Sequence, residues 1–462
     1  MKSFVSALGM ATAAFAVATS AGAADLPSRK AAPVEYVRVC SAYGAGFFYI
    51  PGTDTCLRVG GRVRAEYTVG SRFGNSQDSY GTRARGRLNV DARTATAYGT
   101  LRTFFRYELT NSSNFYNGAL DGNQGIIAPG TARTSQTSTA SNLDLAFIQF
   151  GPITAGRAQS FFDFYANDFG FSTIRTADSR LNLLAYTATF GSGFSATISL
   201  EDRNTGTGQR ENGAFGRFSG AGLTLGGQDF PDIVASLRVD QGWGSAQLSG
   251  AFTQRKVLSA FTAAGVLTQA SSDEYGWAIQ GGVKINLPML AAGDHLFLQA
   301  AYADGALGYL GWGGQYGSGR MTSSIAGNQL VIGDIGVSAL GSAKTSTGWS
   351  VVAGLRHFWT PQLRSELYGS YSEVKLGYVQ AAGFYAAGAP VRSLDPKELI
   401  VAGNLIWSPV SGLDIGVEVL YTRTELASRV LPVDNTGARV AGLAGVKSDD
   451  AWAGRLRIQR DF

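Results

Sequence analysis

From Leu57 to Val69 the chain alternates without a break. Leu57, Val59, Gly61, Val63, Ala65, Tyr67 and Val69 share one parity, and Arg58, Gly60, Arg62, Arg64, Glu66 and Thr68 share the other. A period of two sends successive side chains to opposite faces, so the segment is a strand with one apolar and one charged face. Such a strand suits a soluble sandwich with its charged face in bulk water. It equally suits a membrane barrel with its apolar face in lipid and its charged face in a wet lumen.

The rhythm of the connections separates the two. Further strands are predicted at about 83–95, 99–110, 142–151, 153–160, 181–190, 194–201, 232–240, 243–253, 275–287, 293–303, 347–358, 362–372, 399–408, 413–424 and 451–462. Short turns such as Gly151-Pro152, Gly191-Ser192-Gly193 and Thr360-Pro361 alternate strictly with long segments, among them 111–141, 161–180, 304–346 and 425–450. Seven short turns on one end and eight long loops on the other, with both termini on the short-turn end, is the layout of a 16-stranded antiparallel transmembrane β-barrel. The fold class is therefore all-β.

Composition agrees. With 61 Gly, 19 Tyr, 26 Phe and only 16% charged residues, the chain suits short strands and glycine-rich turns. Beyond the first segment no run of 18 apolar residues occurs, so membrane helices are not expected. Lys2, the apolar run Phe4–Val17 and Ala21-Gly22-Ala23 predict an export signal over 1–23, leaving 24–462 as one barrel domain. The alternating segment from Trp452 to Phe462, ending on an aromatic residue, is expected to close the barrel against the strand near Leu57. Arg460, two places before that Phe, departs from the apolar residue usual there and has no explanation in the sequence. Aromatic residues on the apolar parity near strand ends, including Trp277, Tyr302, Trp349, Trp359, Tyr371, Trp407, Tyr421 and Trp452, predict interfacial girdles.

The net charge of +5 is spread along the chain without blocks, which argues against nucleic-acid binding. Cys40 and Cys56 are the only cysteines, and export into an oxidising compartment favours a disulfide between them. The only histidines, His295 and His357, lie far from the cysteines and from any nucleophile motif, so neither metal, cofactor nor catalysis is expected.

Strand parity places Arg58, Arg62, Arg64, Arg83, Arg85, Arg87, Arg102 and Arg106 on the lumen side of three neighbouring strands, a basic wall. On the lipid side each would cost about 2–4 kcal/mol at the midplane. The third long loop, 161–180, carries Asp163, Asp168 and Asp178 together with Phe161, Phe162, Phe164, Phe169 and Phe171. A phenylalanine-rich loop does not stay extended in water, so it is expected to fold into the barrel and narrow it. Its carboxylates facing the arginines would set up a transverse field that favours dipolar solutes over apolar ones.

Cys40-Ser-Ala-Tyr-Gly-Ala-Gly-Phe-Phe-Tyr-Ile-Pro-Gly-Thr-Asp-Thr-Cys56-Leu-Arg-Val-Gly-Gly resembles the start of the alphaproteobacterial general porins of the rhizobial and brucella type. Phe147-Ile-Gln-Phe-Gly, Gly156-Arg-Ala-Gln-Ser-Phe-Phe-Asp-Phe164 and Trp407-Ser-Pro-Val-Ser-Gly-Leu-Asp-Ile-Gly-Val-Glu-Val-Leu-Tyr-Thr-Arg423 are similar to that family's internal motifs. The resemblance implies a homotrimeric barrel of the bacterial outer membrane, seated among its lipids by the barrel assembly machinery and passing small hydrophilic solutes and ions by passive diffusion. A substrate-selective channel and an outer-membrane lipid hydrolase are the alternatives. Selectivity stays open, because a basic lumen favours anions and an acidic loop opposes that.

Overall fold

A computed structural model describes residues 38–71, 79–113, 137–208, 223–261, 267–269, 271–312, 314–316, 330–337, 342–378, 392–432 and 444–462. The expected export signal, 1–23, lies outside them. Sixteen strands form the barrel: β1 Thr55–Gly70, β2 Tyr80–Thr96, β3 Gly99–Ser113, β4 Thr137–Phe150, β5 Ile153–Gln159, β6 Ser179–Gly191, β7 Phe194–Gly208, β8 Asp232–Gln241, β9 Gly244–Phe261, β10 Ser272–Asn286, β11 His295–Asp304, β12 Thr347–Thr360, β13 Leu363–Lys375, β14 Lys397–Val410, β15 Leu413–Val430 and β16 Val446–Asp461. Each pairs antiparallel with its sequence neighbours, and β16 returns to β1 in a register running from Arg62↔Asp461 to Gly70↔Ala453. Short strands Phe48–Tyr49, Leu223–Leu225 and Leu267–Gln269 extend the same sheet.

The faces follow the alternation. On β1, Val59, Val63, Tyr67 and Val69 are exposed while Glu66 and Thr68 are buried, the reverse of a soluble protein. A closed belt of exposed Val, Leu, Ile and aromatic residues is stable in lipid. The girdles assemble as cross-strand pairs: Trp277 with Tyr302 at 5.3 Å, Trp349 with Tyr371 at 5.4 Å and Tyr421 with Trp452 at 4.6 Å between ring centroids.

Closure is tightest at Gly61. Its N–H donates to the Phe462 carbonyl at 2.9 Å, and the Phe462 N–H donates back to the Gly61 carbonyl at 3.1 Å. A Cβ on Gly61 would lie 2.5 Å from the Arg87 carbonyl oxygen and 2.6 Å from the Phe462 ring. Arg460 sits at this rim with its guanidinium donating to the Ser411 carbonyl, which accounts for a cation on an otherwise apolar parity. The Cys40–Cys56 disulfide, with a Cα–Cα distance of 5.9 Å, fastens the preceding segment to β1 around buried Phe47. In the chain-entropy model a loop of this size contributes about 3 kcal/mol.

Replacing Gly61 by Leu is expected to destabilise the closed barrel by about 1–3 kcal/mol through overpacking. The check is the temperature at which an unheated sample loses its compact, fast-running band in denaturing electrophoresis. An unchanged temperature would mean that the junction is slack.

Candidate functional site

β5 is the shortest barrel strand, and after Gln159 the chain leaves the wall and crosses the lumen until it rejoins at Ser179. Three aromatic rings of this third loop seat on glycines of the opposite wall. A Cβ on Gly282 of β10 would overlap the Phe164 ring, one on Gly354 of β12 the Phe169 ring, and one on Gly416 of β15 would lie 2.6 Å from the Phe171 ring. With Tyr165, Ile174, Phe297 and Tyr368, Phe164 and Phe169 form a buried cluster inside the barrel, and Phe171 stays half-buried beside it.

Wall side chains then take up the loop's backbone. Glu366 accepts from the Gly170 N–H and Glu418 from the Phe171 N–H, both at 2.6 Å. Gln299 accepts from the Tyr165 N–H at 3.0 Å, and Gln280 donates to the Phe162 carbonyl at 2.9 Å. Arg175 of the loop is fully enclosed, ion-paired to Glu398 and lying 3.8 Å over the Trp312 ring. Arg455 and Arg457 of β16 donate to the Phe171 carbonyl.

A second loop reinforces the first. Leu307, Tyr309, Leu310 and Trp312 are buried inside the barrel, with Phe162 packed on Tyr309 at 4.6 Å. Asp334 holds this loop down: Oδ2 accepts from Arg203 at 3.0 Å and Arg255 at 2.7 Å, and Oδ1 from the Leu307 N–H at 2.6 Å. The apolar run Ala306-Leu-Gly-Tyr-Leu-Gly-Trp312 carries the same signal as the third loop, although the rhythm of strands and turns places 304–346 among the long external connections.

Both loops fill the lumen next to β8–β15 at the level of inward Ser236, Gln280, Gln299, Ser350 and Ser370, which are buried, while nearer the short turns Arg238, Arg356 and Arg364 keep solvent contact. Along β1–β4 the inward Arg62, Arg85, Arg87, Arg93, Arg102 and Arg106 keep solvent contact. The wet lane runs beside the arginines.

The eight arginines of the basic wall stand on three adjacent strands, but carboxylates of the wall itself meet most of them. Arg62 pairs with Asp461 at 2.5 Å, Arg83 with Glu66 at 2.5 Å, and Arg85 and Arg87 share Glu108 at 3.3 and 2.5 Å. Arg102 pairs with Asp91 at 2.9 Å and Arg106 with Asp144 at 3.4 Å. Arg64 donates to the neutral Gln459 Oε1 at 3.0 and 2.8 Å, and Arg58 is exposed beside Gly46. Like charges meet across strands, Arg64 opposite Arg85 and Arg62 opposite Arg87. Such opposition is destabilising.

The three loop carboxylates have separate places. Asp163 is buried in the loop's neck, accepting from the Ser179 N–H at 2.7 Å and Gln159 Nε2 at 2.5 Å, because the chain must be pinned where it leaves the wall. Asp178 accepts from Asn167 at 3.1 Å and meets Arg180 at 3.4 Å, and Arg180 continues to Asp144 at 3.2 Å. Asp168 is exposed on the loop's edge. Its charged neighbours are Lys284, Arg356 and Arg238, a basic set on β10, β12 and β8 outside the sequence-predicted wall, together with Asp178 of its own loop. Enclosure by the barrel raises its carboxyl above the usual range, an effect those cations oppose.

The histidines have structural partners. His357 Nδ1 is 2.6 Å from Asp294 and its ring packs on Trp359, while His295 Nδ1 contacts the Gly293 carbonyl at 3.0 Å. Ser365, opposite His357, accepts from Trp359 Nε1 at 2.9 Å.

The family described as "Porin subfamily" matches residues 25–455. Porin Omp2b of Brucella neotomae is 32% identical over 460 residues, covering 97% of each chain. Porin Omp2b of Brucella suis biovar 1 (strain 1330) is 33% identical over 320 residues, 63% of this chain and 82% of that one. The outer membrane channel DcaP of Acinetobacter baumannii shares the fold, with a TM-score of 0.57 at 17% identity over 90% of this chain and 99% of the other.

Gly354→Val is expected to expel the Phe169 ring from its socket and loosen the loop, raising single-channel conductance and current noise in planar bilayers. Unchanged conductance in a folded variant would show that the loop does not narrow the lane.

Proposed function

The chain belongs to the porin family, and from that premise we propose that solutes cross its barrel along the arginine-lined side of the lumen, with a preference for small hydrophilic anions. The protein is an outer-membrane channel for passive diffusion and not an enzyme. The observation that carries the anion preference is the direct opposition of Arg64 to Arg85 and of Arg62 to Arg87 on the solvent-exposed side. Like-charged neighbours cost stability, and a passing anion relieves their repulsion.

Arg64 is the proposed centre of that field, since its hydrogen bonds go to an uncharged amide. Asp178, linked through Arg180 to Asp144 beside Arg106, supplies the opposing charge on the loop side, and Asp168 faces the second basic set of Lys284, Arg356 and Arg238. Asp163 is proposed as a neck residue rather than a lumen charge, because its carboxylate pins the loop to the Ser179 N–H. A solute with a dipole aligns in such a gap, whereas an apolar one displaces ordered water without compensation. Export by the segment 1–23, insertion by the barrel assembly machinery, residence among outer-membrane lipids and assembly as a homotrimer complete the proposal. The homotrimer rests on the family resemblance.

Reversal potentials of the refolded protein in a salt gradient across a planar bilayer test this reading. Anion preference is expected at about 0.1 M salt and should weaken toward 1 M, where the screening length falls to about 3 Å. Arg64→Gln with Arg85→Gln should move the potential toward cation preference. Asp168→Asn should move it the other way, and so should acidification: the raised carboxyl of Asp168 takes up its proton at a higher pH than an ordinary Asp, removing a negative charge as pH falls. Three equal closing steps are expected of a trimer. Absence of ohmic conductance, or cation preference in the unmodified protein, would overturn the proposal.

A further inference from the structure

Inside the wet lane stands a pair of rings that the charge pattern does not call for. Phe104 of β3 and Phe147 of β4 are direct cross-strand partners on the lumen face, stacked at 5.3 Å with an interplanar angle of 23°. Neither is buried. Arg102 lies 5.1 Å from the Phe104 ring centroid and 5.4 Å from that of Phe147, and Arg106 lies 5.5 Å from Phe104. Next to Phe147 on β5 is Gly156, and across it Phe147 rests on the apolar cluster of Ala158, Leu181, Leu183 and Ala185.

The guanidiniums are held in place with donors to spare. Arg102 is fixed by both oxygens of Asp91, at 3.0 and 2.9 Å, and by Gln149 at 3.0 Å. Arg106 commits Nε to Asn89 at 2.9 Å and Nη1 to Asp144 at 3.4 Å. A guanidinium has five N–H donors, so Nη2 of Arg106 is uncommitted among the described residues. Half-exposed aromatic faces beside an anchored cation with a free donor fit an anion carrying a flat apolar body.

We propose that Phe104, Phe147, Arg102 and Arg106 form a solute subsite on the channel wall that retains small aromatic carboxylates during passage. The ring of the solute lies against the phenylalanines and its carboxylate takes the free donors of Arg106. The proposal rests on the reading of this side of the lumen as the solute path.

Benzoate and acetate are the probes, each added to the unmodified channel in a planar bilayer in potassium chloride, with the reduction of ion current measured against concentration. Benzoate is expected to reach half-maximal reduction at a concentration about threefold to tenfold lower than acetate, the range that one aromatic contact supplies. Phe104→Leu with Phe147→Leu should abolish that ratio, each channel being compared with its own chloride current. Phe104→Leu alone, which leaves Phe147 on its cluster, should reduce the ratio and serves if the double variant does not fold. Arg106→Gln should weaken benzoate more than acetate. Equal potency of the two anions in the unmodified channel, or an undiminished ratio in a folded phenylalanine variant, overturns the subsite while leaving the channel standing. Lack of ohmic conductance would instead remove the channel reading itself.

Discussion

The channel depends on how wall carboxylates hold the backbone of one loop. A segment crossing a barrel interior brings peptide groups away from water, and each buried N–H without an acceptor costs about 1–3 kcal/mol. Glu366 and Glu418 meet the Gly170 and Phe171 amides, while the Phe171 carbonyl is taken by Arg455 and Arg457. Glycine sockets on β10, β12 and β15 let the rings of Phe164, Phe169 and Phe171 sink into the wall. Polar satisfaction and ring seating act on the same few residues, so the loop has one position. Once one side of the lumen is filled, water and solutes have the other.

On that other side the charges are arranged for spacing as much as for pairing. Glu66 contacts Arg83 at 2.5 Å, Arg457 at 2.6 Å and Arg455 at 3.7 Å, and Glu108 serves both Arg85 and Arg87. One carboxylate shared by two or three guanidiniums keeps long side chains extended along the wall and leaves positive charge over. Glu66 and Glu108 are buried, and a buried carboxylate left without its partner is strongly destabilising, so these guanidiniums are held where they are. The consequence is a fixed field across the lane, set by side chains too constrained to collapse onto a passing ion.

The strand count, the closure of β16 on β1 and the inward third loop were all legible in the chain, because a membrane barrel turns side-chain parity directly into environment. Strand ends were less so: β9 runs on to Phe261 and β15 to Val430, where the wall rises beyond the lipid and parity loses its meaning. The basic wall was readable strand by strand, but its counter-ions were not. Glu66 meets Arg457 only because the barrel closes, a contact between residues 391 positions apart. Asp163 shows the same limit in reverse: its type and loop suggested a lumen charge, whereas the neck geometry needs it as an acceptor for the Ser179 N–H. The second inward loop could have been found by applying to Leu307–Trp312 the reasoning that placed the phenylalanine-rich segment. Phe104 could have been found too, since it shares the parity of Arg102 and Arg106.

The division of the lumen into a filled side and a wet side is tested most directly by thiol accessibility. Both native cysteines are joined in the disulfide, which leaves single introduced cysteines as clean reporters. Asn89→Cys places a thiol on the inward face of β2 beside Arg106, and Ser350→Cys places one on the inward face of β12, where the serine is 1% exposed. An impermeant anionic thiol reagent should reduce the bilayer current of Asn89→Cys and leave that of Ser350→Cys unchanged. Rapid loss of current in Ser350→Cys with none in Asn89→Cys would place the solute path on the opposite side and contradict this account.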